Sequence, residues 1–205
     1  MYLFLSWNVA MFVYVFFTHS LYFEITQFNM NIAQIYDDSQ EHLTFKIEKA
    51  INVHIQNART VRALDNMFKR YAFLMLSTNL PTTLFSFFLL FSRRNNPWSE
   101  IIMTLPVILF CIFGFLSLTA APAKLHDALY STRAIFCSNK NIWLPYKNDV
   151  YQAAVALCCH LDQANLGISI WGFAIVSRPL ILTTFSVMAT FLALLLQFND
   201  CRGIA

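Results

Sequence analysis

LILTTFSVMATFLALLLQF, residues Leu180 to Phe198, contains no charged residue. Nineteen residues at about 1.5 Å rise each nearly match a hydrocarbon core of about 30 Å, so the run predicts a membrane-spanning helix. Its polar residues are few and spaced. Thr183, Thr190 and Gln197 recur every seven residues, and Ser186 falls three or four positions from the first two. On a helix these four make one narrow stripe among Leu, Phe, Val and Ile. A glutamine facing lipid would leave amide donors and acceptors unpaired, so Gln197 is expected to face protein or water. Two arrangements meet that demand: a helix contact in which Ser, Thr and Gln act as glue between spans, or a pore.

Composition supports the membrane reading. Hydrophobic residues make up 58% of the chain and charged residues 12%, with 21 Phe; mean hydropathy is +0.53. Soluble domains carry about 25% charged residues, so the chain is read as an integral membrane protein. A net charge of +3 from scattered basic residues argues against a nucleic-acid partner. The five cysteines show no repeated spacing, so no disulfide framework is indicated. Cys158, Cys159 and His160 adjoin, but consecutive helical residues diverge by about 100° and no second ligand cluster exists, so they read as buried structural thiols and no metal is expected. No cofactor is expected either.

From the N-terminus, residues 1–23 form an uncharged apolar run read as a span, with Trp7, Tyr14 and Tyr22 as interfacial aromatics. Residues 24–70 bring the charges back, and Ile47, Ile51, Ile55, Ala58, Val61, Leu64 and Phe68 step by three and four as in an amphipathic helix. Asp37, Asp38 and Glu41 read as a solvated acidic turn. Residues 71–92 are the second span, kinked at Pro81, with Ser77 and Thr78 placed to satisfy the freed backbone. Residues 93–100 are a short connector, and 101–123 the third span, in which Gly114 allows close helix approach. In 124–179 a second helix is expected from an N-cap at Asp149, with a stripe of Val150, Ala154, Leu157, Leu161, Ala164 and Ile168. Span four is 180–198, and 199–205 a tail. The expected fold class is thus all-α, a polytopic helical membrane protein with four transmembrane helices and long cytoplasmic amphipathic helices.

Eleven of the fourteen Lys and Arg residues fall in 19–70 and 124–179, the other three in the connector and tail. The positive-inside rule then places the long segments in the cytoplasm and Met1, the connector and Ala205 outside.

The terminal nonamer, Thr190, Phe191, five apolar residues, Gln197 and Phe198, resembles the signature of the last span of insect-type gustatory and odorant receptors. That signature is Thr, Tyr, five mostly apolar residues, Gln, Phe; Phe191 stands where Tyr is usual. GISIWGFAIVSRPLILTT, residues 167–184, is similar to the family's Gly, aromatic, basic lead-in, and the order of long cytoplasmic segments, short outer connector and terminal motif matches the family's last four spans. The resemblance implies an inverted seven-span chemoreceptor of which this chain is the C-terminal portion, truncated or from an incomplete gene model. It further implies a plasma-membrane homo- or hetero-tetramer that conducts cations with little selectivity when a small-molecule ligand binds, with the C-terminus extracellular.

Carried over, Leu194 and Gln197 would narrow the outer end of the pore, and the cytoplasmic amphipathic helices would form an anchor domain. Asp200 is added from charge alone: four copies at the outer mouth would concentrate cations. For a ligand pocket the candidates are Trp7, Phe85, Phe88 and Met103. Rival readings are a four-span scaffold without channel activity and a fragment of a G-protein-coupled chemoreceptor, which would place the C-terminus inside. An enzyme is not expected: His126 with Asp127 and His160 with Asp162 are the only candidate acid–base groups, and no span contains a charge.

Overall fold

The computed structural model describes residues 2–35, 40–92, 98–144, 146–162 and 166–202. Among them are six helices: α1 (Tyr2–Ala33), α2 (Gln40–Ser92), α3 (Trp98–Ser138), α4 (Lys140–Trp143), α5 (Asn148–Leu161) and α6 (Arg178–Arg202). A two-stranded hairpin, β1 (Ser169–Ile170) and β2 (Ala174–Ile175), sits between α5 and α6. The fold is all-helical apart from that hairpin. Helices α1, α2, α3 and α6 are each long and apolar enough to cross a membrane, which is compatible with a multi-pass membrane protein.

Three of these helices outrun their apolar stretches. α1 continues ten residues past Phe23, α3 continues through Pro122 to Ser138, and α2 joins the amphipathic segment to the second apolar run in one 53-residue helix. At these junctions the pattern changes from apolar all round to one apolar stripe, but no glycine interrupts the hydrogen-bond ladder. The helix therefore passes from one environment to the other without stopping. Pro81 lies inside α2. The hydroxyls of Ser77 and Thr78 donate to the carbonyls of Phe73 and Leu74, not to that of Ser77, which Pro81 deprives of its usual donor. Thr82 and Thr83 hold the turn instead, donating to Thr78 and Asn79 at 2.7 Å each.

Burial divides the molecule in two. One buried cluster joins Leu21, Ile25, Ala58, Val61, Leu64, Leu125 and Ile168, with Tyr14, Met75 and Leu118 at its upper edge. A second joins Phe28, Ile32, Ile47, Phe136, Val150, Ala154 and Leu157. The second lies where the sequence is amphipathic, in what is here the base; the first begins there and reaches into the apolar runs through Tyr14, Leu21, Met75 and Leu118. Along the apolar runs the order inverts: Phe12, Phe85, Phe91, Ile102, Met103, Leu109, Phe113 and Leu182 are exposed. Only about a third or less of each apolar stretch is buried, and none of that in α6. Water does not stabilise such a surface, whereas lipid does.

Polar side chains pin the base. The Asn29 amide donates to the carbonyl of Ala128 at 2.8 Å and accepts from the Thr132 hydroxyl at 2.6 Å, joining α1 to α3. Tyr14, expected at an interface, is fully buried, and its hydroxyl donates to the carbonyl of Leu118. Its ring is held edge-on by Phe68, so packing against α2 and α3 displaces it from the surface. α5 starts at Asn148 after an extended Lys147, without side-chain capping; Asp149 is thus not the N-cap but lies in the first turn, where a carboxylate favours the helix dipole. Asp37, Asp38, most of the 93–100 connector and residues 203–205 fall outside the described residues.

Candidate functional site

α6 touches the rest of the chain through one face. Ile181, Thr184, Met188, Leu192 and Leu195 are half-buried, while Thr183, Ser186, Thr190, Leu194 and Gln197 are exposed. On a helical projection the centre of the polar row (Thr183, Ser186, Thr190, Gln197) lies roughly 170° from the centre of the packed row. The polar stripe thus points away from its own chain. Thr183 and Thr190 donate to the carbonyls of Pro179 and Ser186, at 2.9 and 3.0 Å. No described residue bonds the Gln197 amide. Leu194, 45% exposed, shares this outward face one turn before Gln197. Phe191 and Phe198 stand to one side of it, both exposed. The backbone of Asp200 continues α6, but its side chain lies outside the described part.

The hairpin fixes the start of α6. Trp171 and Gly172 both have positive φ, 52° and 81°, as a mirror-image hairpin turn requires. Gly172 adopts this freely; Trp171 does so at a cost of about 1 kcal/mol. Three contacts hold it there: the Trp171 amide donates to the carbonyl of Lys69, its ring packs edge-on against Phe73 at 4.9 Å, and Phe173 closes the turn onto Ile170. Beneath the turn, one Asp65 carboxylate oxygen accepts from both the backbone amide of Ser169, at 2.6 Å, and its hydroxyl, at 2.8 Å. The Ser169 hydroxyl oxygen in turn accepts from the Gly172 amide. One carboxylate on α2 therefore seats the whole turn. Arg178, first residue of α6, forms an ion pair with Asp127 on α3.

A cavity of about 190 Å³ lies under α6, between Phe73, Leu76 and Leu80 of α2, Phe115 and Thr119 of α3, and Leu180, Ile181 and Thr184 of α6. Phe115 meets Phe185 edge-on at 5.1 Å beside it. Its volume is below the roughly 300 Å³ of sites for drug-sized ligands. Trp7, Phe85, Phe88 and Met103 do not line it. Trp7 packs against Tyr71 in the core, Phe88 is half-buried, and Phe85 and Met103 are 60% and 78% exposed, so the structure does not bring these four together.

Asp162 and His54 have structural partners, whereas the buried Asn57 Nδ2 and Trp143 Nε1 find no hydrogen-bond partner among the described residues. Asp162 pairs with Arg133 at 2.6 Å. His54, 4% exposed on α2, donates through Nε2 to the carbonyl of His160 on α5 at 3.1 Å. Burial holds this imidazole below its ordinary value of 6.5; the bond to His160 opposes that and the nearby His160 ring adds to it. Of the cysteines, Cys111 is buried, but Cys137 and Cys159 are exposed and Cys158 half-buried. Tertiary packing leaves the rim of α5 open there, so the buried-thiol expectation fails for the Cys158–Cys159 pair. Sequence reasoning missed Asp65, His54 and the contact between Cys137 and Cys158. The local hint of the hairpin is Trp-Gly-Phe flanked by Ser-Ile and Ala-Ile. No family model and no curated protein matches this chain.

Proposed function

We propose that this chain is a subunit of a gustatory-receptor-like chemosensory channel, a multi-pass plasma-membrane protein in which α6 lines a cation path. The observation that carries the proposal is the polar face of α6, turned away from the chain that bears it, with the Gln197 amide unpaired among the described residues. In hydrocarbon such a face needs water or further copies of itself, and a closed ring of subunits supplies both. Four copies, as the resemblance implies, place Leu194 as an apolar ring that closes by dewetting. Gln197 then forms a ring of amides that replaces part of a hydration shell without selecting strongly among monovalent cations. The C-terminus lies outside the cell, where Asp200 draws cations to the mouth. A small-molecule ligand opens the path, and the role is non-enzymatic, with Asp127 and Asp162 committed to ion pairs.

An association-only reading, a four-span scaffold, draws on the threonine hydroxyls. Those of Thr183 and Thr190 are satisfied within α6 and require no water. Charged, membrane-impermeant thiosulfonates applied to Thr190→Cys, Gln197→Cys and Phe191→Cys separate the two readings. A pore gives modification from the outer side at 190 and 197, with altered cation current, and little at 191. Protection of all three positions, or labelling without any current, rejects conduction. A protease-sensitive tag after Ala205 that is cut only from the cytosolic side rejects the orientation and brings forward the G-protein-coupled fragment.

A further inference from the structure

The sulfur atoms of Cys137, next to the last residue of α3, and Cys158, near the end of α5, lie 3.5 Å apart. That is van der Waals contact between side chains 21 positions apart in sequence. Cys137 is exposed and Cys158 half-buried, so of the two Cys137 is the more open to a small reagent. We propose that Cys137 and Cys158 form a reversible disulfide that ties the end of α3 to α5 when a small-molecule disulfide, such as oxidised glutathione, is present. A disulfide requires an S–S separation of about 2.05 Å, so closure asks for an approach of about 1.5 Å between groups that already touch.

The chemistry balances in two exchanges. The Cys137 thiolate attacks one sulfur of the small disulfide, releasing one thiolate and leaving a mixed disulfide on Cys137. The Cys158 thiolate then attacks the Cys137 sulfur and expels the second small thiol. Two electrons and two protons pass from the pair to the reagent, which leaves as two thiols. The order follows from the surroundings. Burial, then the hydrogen bond that the Cys158 thiol donates to Cys137 and the charge of Cys137, push Cys158 up to about 12, with Arg133 opposing. Capping Cys137 removes the two contributions that come from Cys137 and leaves burial as the main upward cause, so Cys158 is the slower thiol and acts second.

The inference rests on this contact and not on the pore. The proposed cytoplasmic side enters only in making the dithiol the resting form, as a reducing compartment would. The test uses the full chain in isolated membranes, treated with oxidised glutathione, then denatured, alkylated with N-ethylmaleimide and digested for mass spectrometry. Expected are a linked 137–158 peptide and the loss of two of the five alkylatable thiols, both restored by dithiothreitol. Cys137→Ser and Cys158→Ser should each abolish the link, and Cys159→Ser should leave it. Retention of all five thiols, glutathione left standing on Cys137, or a link through Cys159 would overturn the proposal.

Discussion

Asp65 bears more of the architecture than its neighbours, because one carboxylate oxygen accepts both the amide and the hydroxyl of Ser169. Hydrogen bonds to a charged acceptor contribute about 1.5–3 kcal/mol each, so Asp65→Ala should destabilise the hairpin by about 2 kcal/mol or more. Amide exchange at 169–172 should accelerate accordingly, with Ser169→Ala giving a smaller effect; unchanged exchange would remove Asp65 from its place under the turn. His54 yields a pH dependence. Its folded value lies below the ordinary 6.5, so between the two values the unfolded chain binds more protons than the folded one. Stability therefore falls as pH drops through about 6.5 and levels off below the folded value. Thermal melts from about pH 7 to pH 5 should show this loss, and His54→Asn should flatten it, at some cost in stability at neutral pH. Neither residue was legible in the sequence. Asp65 and Ser169 are 104 positions apart, and a lone histidine on an amphipathic helix carries no sign of whether it faces solvent or a neighbour.

At the scale of elements, apolar runs and three-four periodicity marked where helices lie but not where they end: the stripe expected to run on to Ile168 leaves the helix at Leu161, the last residue of α5. Ile47, Val61, Val150 and Leu157 are buried where the stripes predict. What the runs could not show is that α2 proceeds unbroken from amphipathic to apolar, since a helix boundary needs a stop signal and none is written there. The hairpin was equally hidden, because two-residue strands are too short for a period to register. Close packing was legible at one position. A Cβ on Gly114 of α3 would come within 2.8 Å of Asn79 Nδ2 on α2. Only the flexible end of a side chain must yield to a methyl, so Gly114→Ala should cost about 1 kcal/mol or less, while Gly114→Leu should cost about 2 kcal/mol by prising the helices apart. Unfolding in detergent measures both. Asn79→Ala combined with Gly114→Ala should recover part of the loss if the contact is the cause.

For the whole molecule, the decisive feature is the inversion between a base that buries its apolar side chains and an upper half that displays them. The outward Phe, Leu and Ile of α1, α2, α3 and α6 predict that alkaline carbonate washing leaves the chain in the membrane pellet, whereas a peripheral protein would be released. The polar face of α6 belongs to the same scale, since no single chain covers it. Thr190→Trp, bulky and on that face, should lower the fraction of chain recovered as an oligomer in mild detergent, while Leu182→Trp should not. Equal effects would place the subunit contact elsewhere. The stripe itself was visible from its seven-residue spacing; its direction was not, because direction depends on which side of α6 the partners α2 and α3 occupy.

The hairpin at the foot of α6 also sets how that helix can move. Two rungs of strand seated on one carboxylate leave little slack, so the foot is a pivot and the helix beyond it a lever arm. With 25 residues the arm is about 37 Å long, and a rocking of about 5° at the foot carries its tip about 3 Å. Small strains delivered to α2 near Asp65 are thereby magnified toward the far end, where Leu194 and Gln197 reside.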